Sequence, residues 1–128
     1  GLSVSPGRDQ ARLAAVDPAR LHQALLNLLD NALRFSPEHS RIEVNLEHRD
    51  RWCLISVRDH GPGLSSSDLE RMFERFYRGD PARARAPRVG SGLGLPIVRQ
   101  IALSQGGLVR ARNHPDGGAQ LELLLPRA

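Results

Sequence analysis

A chain of 128 residues has room for one domain, and 40% hydrophobic against 25% charged residues makes it globular, with a core that must be aliphatic because only 4% is aromatic. The formal charge of +4 is carried without lysine, since all 18 basic residues are arginine. A Walker A loop and the phosphate-binding strand of an ordinary protein kinase both need a lysine, so both are excluded within the chain.

The first 11 residues are rich in Gly, Ser, Pro and Arg and have the composition of a linker remnant, which leaves residues 12–128 as the domain. A short strand is predicted over Arg12 to Val16. Asp17 followed by Pro18 then supplies a helix N-cap and a first-turn proline, and a helix is predicted to run to Phe35. Its buried stripe should be Leu21, Ala24, Leu25, Leu28, Leu29, Ala32 and Leu33. Gln23, Asn27, Asn31 and Arg34 fall on another stripe of the same helix. Pro37 forces Ser36 out of the helical region and ends it. Ile42, Val44 and Leu46 alternate with polar residues, and so do Cys53, Ile55 and Val57 beyond a polar turn at Arg49 to Arg51, the pattern of a hairpin. Cys53, the lone cysteine, excludes an internal disulfide and a zinc knuckle and is expected to be a small buried apolar residue.

The second strand of that hairpin delivers Asp59 to a DHGPG turn. Ser67 to Glu70 fits a capping box, opening a short helix through Met72 and Phe73. Arg78 to Val89 is poor in apolar residues and is expected to be a mobile loop. A GxGxG run at Gly90 to Gly94 leads into a second long helix that ends at Gly106 and Gly107. Leu108 to Asn113 and Gln120 to Leu125 are predicted strands joined by a turn. The order of elements implies a two-layer α/β sandwich, a sheet with its helices on one face. The five histidines lack metal-ligand spacing and are expected at the surface or in loops. With no apolar run near the roughly 20 residues of a membrane helix and no leader pattern at the N-terminus, the chain is expected to be cytoplasmic and to make no direct membrane contact.

Three pieces of this layout carry chemistry, and their order matters more than any one of them. Asparagine is a poor helix former, so Asn27 and Asn31 in successive turns cost about 1 kcal/mol together relative to alanine, which calls for a reason. A carboxamide oxygen is a hard neutral ligand suited to magnesium, and Arg34, one turn on, can face the same phosphates. Asp59 can simply cap the turn at Gly61. As a base reader, its carboxylate would accept from the exocyclic amine of adenine and repel the carbonyl of guanine, at about 1.5–3 kcal/mol for such a bond. Gly90, Gly92 and Gly94 precede a helix whose first amides favour anions, and glycines let backbone approach phosphate closely. A dinucleotide fingerprint is excluded, because the spacing is GxGxG and no strand precedes it. Arg78, Arg83, Arg85 and Arg88 lack the interleaved aromatics of a nucleic-acid patch, so no nucleic-acid partner is expected; a lid over a triphosphate fits them better.

LHQALLNLLDNALRFSP, DHGPGL, MFERFYRGD and GSGLGLPIVRQIA resemble, in that order, the N box, first glycine box, F box and second glycine box of the ATP-binding catalytic domain of bacterial sensor histidine kinases. These belong to the wider gyrase, Hsp90, histidine kinase and MutL superfamily. The resemblance covers residues 17 to 107. It implies a Bergerat-type fold, a mixed sheet backed by helices, with ATP and Mg2+ held between the N-box helix and the glycine boxes beneath a lid. On that reading Asn31 ligates the metal, Asp59 receives the adenine amine, and Gly61, Gly63 and Leu64 shape the base pocket. Arg34 and Phe35 fill the usual basic and aromatic positions of the N box. Phe73 and Phe76 anchor the start of the lid, with Arg78 just beyond. The run Gly90, Ser91, Gly92, Leu93, Gly94 and Leu95 meets the phosphates.

ATPase members of the superfamily carry a water-activating glutamate where this chain has Asn27. That catalytic position therefore holds an amide, which cannot act as a general base, and the site is expected to keep ATP for transfer to an incoming histidine imidazole. Two positions depart from the commonest pattern: His60 stands where asparagine is frequent, and Phe35 lacks a hydroxyl. None of the histidines lies on a suitable helix before an acidic residue, so the phosphoacceptor is expected elsewhere in a parent kinase, one that could be anchored in the inner membrane. The implied partners are the parent's dimerisation and histidine phosphotransfer domain and a response regulator. Two other readings share part of the pattern. An anti-sigma type serine kinase is disfavoured by the F box, and a degenerate ATP-binding regulatory module by the intact Asn31, Asp59 and glycines.

Overall fold

The computed structural model describes residues 2–6, 16–75, 77 and 94–127. The elements are β1 (Leu2–Pro6), α1 (Pro18–Phe35), β2 (Ile42–Arg49), β3 (Trp52–Arg58), α2 (Ser66–Arg71), α3 (Gly94–Ser104), β4 (Leu108–Asn113) and β5 (Ala119–Pro126). The sheet runs β1-β2-β3-β5-β4, with β1 parallel to β2 and every other pair antiparallel, so it is mixed as expected. α1 and α3 pack against each other and over the central strands β3 and β5. Two layers result, and no described helix is long and apolar enough to cross a membrane.

α1 begins where the sequence places it. Asp17 is extended at φ −66° and ψ 115°, and its Oδ1 accepts from the Ala19 amide at 3.0 Å, the bond of a helix N-cap. The Asp17 amide in turn donates to Oε1 of Gln105 at 3.2 Å, which ties the start of α1 to the chain leaving α3. Ser36 returns to extended backbone ahead of Pro37 and closes the helix. Ala24, Leu28 and Ala32 are buried against Ile55, Val57, Val98, Ile101 and Leu123, while Leu21, Leu25 and Leu29 pack around them half-buried.

Leu33 does not belong to that stripe. It is 58% exposed, and Phe35, which follows it by two positions, is the residue that turns inward at the helix end. Leu28→Ala should therefore lower stability by about 2–5 kcal/mol through lost packing and a cavity. Leu33→Ala should stay within about 0.5 kcal/mol of the parent in urea unfolding.

Two further expectations are corrected, and a third falls almost wholly outside the described residues. The stretch expected to be linker contains β1, whose Leu2 and Val4 share register with Ile42 and Val44. The strand predicted from Arg12 lies outside the described residues up to Ala15, and Val16 is not in a strand. The capping box is two residues earlier than predicted. Ser65 is the N-cap and Asp68 its reciprocal partner, with Oγ of Ser65 accepting from the Asp68 amide at 3.1 Å, and α2 ends at Arg71 instead of running through Phe73. Ser65 is preferred to Ser67 because Asp68 is buried and bonded again, Oδ1 accepting from the Tyr77 hydroxyl at 2.7 Å. Glu70, the partner that Ser67 would have used, faces solvent.

Cys53 is fully buried in β3 as expected. Burial pushes its thiol up, against the lowering pull of the Arg127 charge, and keeps it protonated and unreactive.

Candidate nucleotide site

The site is built from the end of β3, the polar stripe of α1 and the start of α3. β3 pairs with β5, and the pairing continues one step past the strand, where the Asp59 amide donates to the Ala119 carbonyl at 2.9 Å. Asp59 is thereby carried to the sheet end and is only 2% exposed. Its Oδ1 accepts from the amides of Gly61 at 2.9 Å and Ala119 at 3.1 Å. The turn cap anticipated for this residue is therefore present. The same two bonds fix the carboxylate plane, so capping and base reading are compatible uses of its two oxygens.

The loop after Asp59 is drawn tight against α1. A Cβ on Gly61 would sit 2.3 Å from the Phe35 carbonyl oxygen, so only glycine admits the approach of the first glycine box to the end of the N-box helix. Phe35 is 2% exposed and supports this corner from within. The far side of the loop is pinned by Asn113 at the end of β4. Its Oδ1 accepts from the Leu64 amide at 2.6 Å and its Nδ2 donates to the Leu64 carbonyl at 3.0 Å, a two-point clamp on the loop carrying Gly63. Nothing in the sequence singles out Asn113, because it lies 49 positions from its partner and reads as the end of a strand.

On α1 the first two residues of the predicted stripe are joined in a chain of contacts. Gln23 donates to Oδ1 of Asn27 at 2.8 Å, and Nδ2 of Asn27 donates to the Gly94 carbonyl at 2.9 Å. Both ends of the Asn27 carboxamide are thus used by the protein, and what they do is seat the first residue of α3 against α1. Asn31, one turn further on, is half-buried and bonds to no other described residue, so its carboxamide has both its oxygen and its amine to offer. That is the donor set a hard cation would find acceptable. Arg34 is paired with Asp30 of the same helix face, Nε to Oδ2 at 3.1 Å, and remains 43% exposed. Gly94 is exposed at the start of α3, with Leu95 half-buried behind it. Phe76, Arg78, Gly90, Ser91, Gly92 and Leu93, together with the loop predicted from Arg78 to Val89, lie outside the described residues.

His60 points away from this corner. Its Nε2 lies 3.2 Å from Oε2 of Glu43, a residue of β2 whose cross-strand partner is Arg58. Replacing the frequent asparagine of that position therefore leaves the immediate surroundings of the Asp59 carboxylate intact. Beyond α2, Tyr77 is held by Asp68, and the Arg71 guanidinium lies 5.0 Å from the centroid of its ring.

Residues 16–128 match the family described as histidine kinase-, DNA gyrase B-, and HSP90-like ATPase. The chain belongs to that family. It is an ATP-binding catalytic domain of the sensor histidine kinase type, as its relatives indicate. The sensor protein SphS of Synechococcus elongatus is 45% identical over 117 residues, a match that takes in 87% of this chain and 28% of that protein. The mycobacterial sensor histidine kinase MprB superposes with a TM-score of 0.85 at 34% identity, covering 98% of this chain and 82% of that one. Full-length ShkA, solved in complex with AMPPNP, gives 0.77 at 30% identity over all of this chain and 26% of its own. The chain spans little more than a quarter of the curated relatives it matches first, at 28% and 27% of their lengths.

Proposed function

We propose that the chain binds ATP together with Mg2+ and transfers the γ-phosphoryl group to a histidine on the dimerisation and phosphoacceptor domain of a parent sensor kinase. That domain's phosphohistidine would then supply a response regulator. The observation that carries this reading is Asp59: a buried carboxylate at a strand end, oriented by two backbone amides, on a turn packed against the end of the helix that bears an uncommitted asparagine. AMPPNP, the ligand of the ShkA structure, is an adenine nucleotide with a triphosphate-like tail, the shape this arrangement suits.

The division of labour follows from the side chains. Asp59 accepts the adenine amine through Oδ2, while Oδ1 stays on the amides of Gly61 and Ala119. Gly61, Gly63 and Leu64 form the loop against which the base lies. Arg34 and the glycines Gly90, Gly92 and Gly94 meet the phosphates, with Gly94 opening a helix whose first amides are unsatisfied within the helix itself. Asn31 would hold the magnesium, which when bound neutralises charge on the phosphate oxygens.

Asn27 supplies no base, and its amide is occupied in holding α3, so water is not activated for hydrolysis. The nucleophile is then an imidazole nitrogen brought in by the acceptor domain. The new N–P bond forms as the bond from the γ-phosphorus to the bridging oxygen breaks, and ADP leaves.

Calorimetry with ATP, ADP and GTP, with and without magnesium, followed by transfer from γ-labelled ATP to a histidine-bearing two-helix segment added in trans, tests the whole reading. Adenine-selective, magnesium-dependent binding and acid-labile label on the added segment are the expected results, with little ADP formed when the chain is incubated alone. Equal binding of GTP, no binding, or acid-stable label on a serine would overturn it.

A further inference from the structure

We infer that Arg58, braced by Glu43, is a positioning residue for adenine selection, acting through the β4–β5 turn on the amide that orients Asp59. The inference rests on Asp59 reading the adenine amine, as proposed above, and adds the group that keeps it in reading position.

Arg58 is the last residue of β3 and its side chain is only 13% exposed. Nε and Nη2 both donate to the Gly117 carbonyl, at 3.1 and 2.9 Å, and Nη1 donates to Oε2 of Glu43 at 3.1 Å. Among the described residues the guanidinium bonds nothing else. Glu43 is its direct cross-strand partner on β2, so the planar fork is fixed on one side by the sheet and on the other grips the turn. Neither acceptor is a group that meets a nucleotide. An effect of Arg58 on binding passes through Gly117, or through Glu43, whose Oε2 also lies 3.2 Å from Nε2 of His60.

Gly117 stands two residues before the contact that matters, the Ala119 amide on Asp59. Nothing lies within 4 Å of where its Cβ would be, so no packing holds the tip of the turn from that side. The turn's own bonds are short-range, with the His114 amide donating to the Gly118 carbonyl and the Gly117 amide to the His114 carbonyl, each at 2.9 Å. They shape the turn without anchoring it to β3. Arg58 is the side chain that ties the tip of the turn to β3, while its base is held where the Asp59 amide donates to the Ala119 carbonyl. Ala119, just beyond Gly118, gives its own amide to Oδ1 of Asp59. With the tip of the turn released, the Ala119 amide is less firmly aimed, and one of the two backbone bonds on Oδ1 of Asp59 is weakened. Rotation about the Asp59 side chain then blurs the difference between an amine and a carbonyl placed before Oδ2. Phosphate contacts, made on the α1 and α3 side, are untouched.

The test uses Arg58→Met, which keeps the stem and removes every donor, and Arg58→Lys, which keeps the charge toward Glu43 and one donor at a time for the turn. ATP, GTP and inorganic triphosphate are titrated into the chain, into each variant, and into each variant combined with Asp59→Asn. The expected result for Arg58→Met is a roughly three- to tenfold loss of ATP affinity with GTP and triphosphate changed less than about twofold. Arg58→Lys should show a smaller fall of the same ATP-to-GTP ratio, and it carries the test if Arg58→Met does not fold. In the Asp59→Asn background neither change should alter the ratio, because the carboxylate through which they act is gone. A merely structural contribution would weaken all three ligands alike, or weaken ATP equally in both backgrounds. Either of those results, or an unchanged ratio, overturns the inference. A parent chain that binds ATP without preferring it to GTP removes the reading of Asp59 itself, and a preferring parent with unaffected variants removes only the role of Arg58.

Discussion

Asp59→Asn is expected to weaken ATP binding by roughly ten- to a hundredfold, the affinity carried by one hydrogen bond to a charged group. The substitution is nearly isosteric, so the oxygen that accepts from Gly61 and Ala119 can stay where it is and the turn remains capped. What changes is the other end of the group. An amine replaces Oδ2 and meets the exocyclic amine of adenine donor to donor, whereas the O6 carbonyl of guanine would now find a partner. GTP should therefore hold its affinity or gain, and the ATP-to-GTP ratio should fall much further than either unfolding midpoint or helix content changes. Titration calorimetry beside circular dichroism separates the two. A variant that binds ATP like the parent would reduce Asp59 to a turn cap, the bland use its two amide bonds already describe.

Much of the scaffold that places Asp59 is written locally and was legible for that reason. Asp17 and Pro18 mark the start of α1, Pro37 marks its end, and the alternation from Ile42 to Val57 marks the hairpin, each within a few residues of the signal. Periodicity was less able to tell the edge of a stripe from its centre. Leu33 repeats at helical spacing with Leu29 and Leu25, but the helix has by then reached the corner where Phe35 takes the inward place. β1 escaped because its partner β2 lies beyond all of α1, and a parallel strand has no turn signal to announce it. The three consecutive serines before Asp68 are equivalent in sequence, and what chooses Ser65 is the hydroxyl of Tyr77, a contact formed only once the chain has folded back.

The site follows the same division. Asn31 and Asp59 stand in motifs legible as residue types, yet the side chains that tie down the loops on either side of Asp59 do not. Asn113 on Leu64 and Arg58 on Gly117 are 49 and 59 positions from their partners, and an asparagine or arginine at a strand end is unremarkable until the sheet brings its partner alongside. Asn27 shows the converse. Its residue type was legible and suggested contact with the ligand, while its carboxamide is spent on Gln23 and Gly94 in joining two helices.

Gly118→Ala is expected to be the more damaging of two outwardly similar changes in the β4–β5 turn. Both Gly117 and Gly118 have positive φ, at 102° and 81°, so alanine is strained at either position by about 1–2 kcal/mol. At Gly117 that is the whole penalty, since a Cβ would meet nothing within 4 Å. At Gly118 it would lie 1.9 Å from the Asp59 carbonyl oxygen and 2.8 Å from its carbonyl carbon. Neither is the yielding end of a side chain, so the end of β3 and the start of β5 must part. Overpacking of that kind adds about 1–3 kcal/mol, for a total of about 2–5 kcal/mol in urea unfolding. The separation also pulls the Ala119 amide from Asp59, so the folded fraction of Gly118→Ala should lose adenine selectivity while Gly117→Ala keeps it. Equal destabilisation of the two variants would mean that backbone strain alone governs the turn. Selective ATP binding surviving in Gly118→Ala would show that the carboxylate does not need the turn to hold its place.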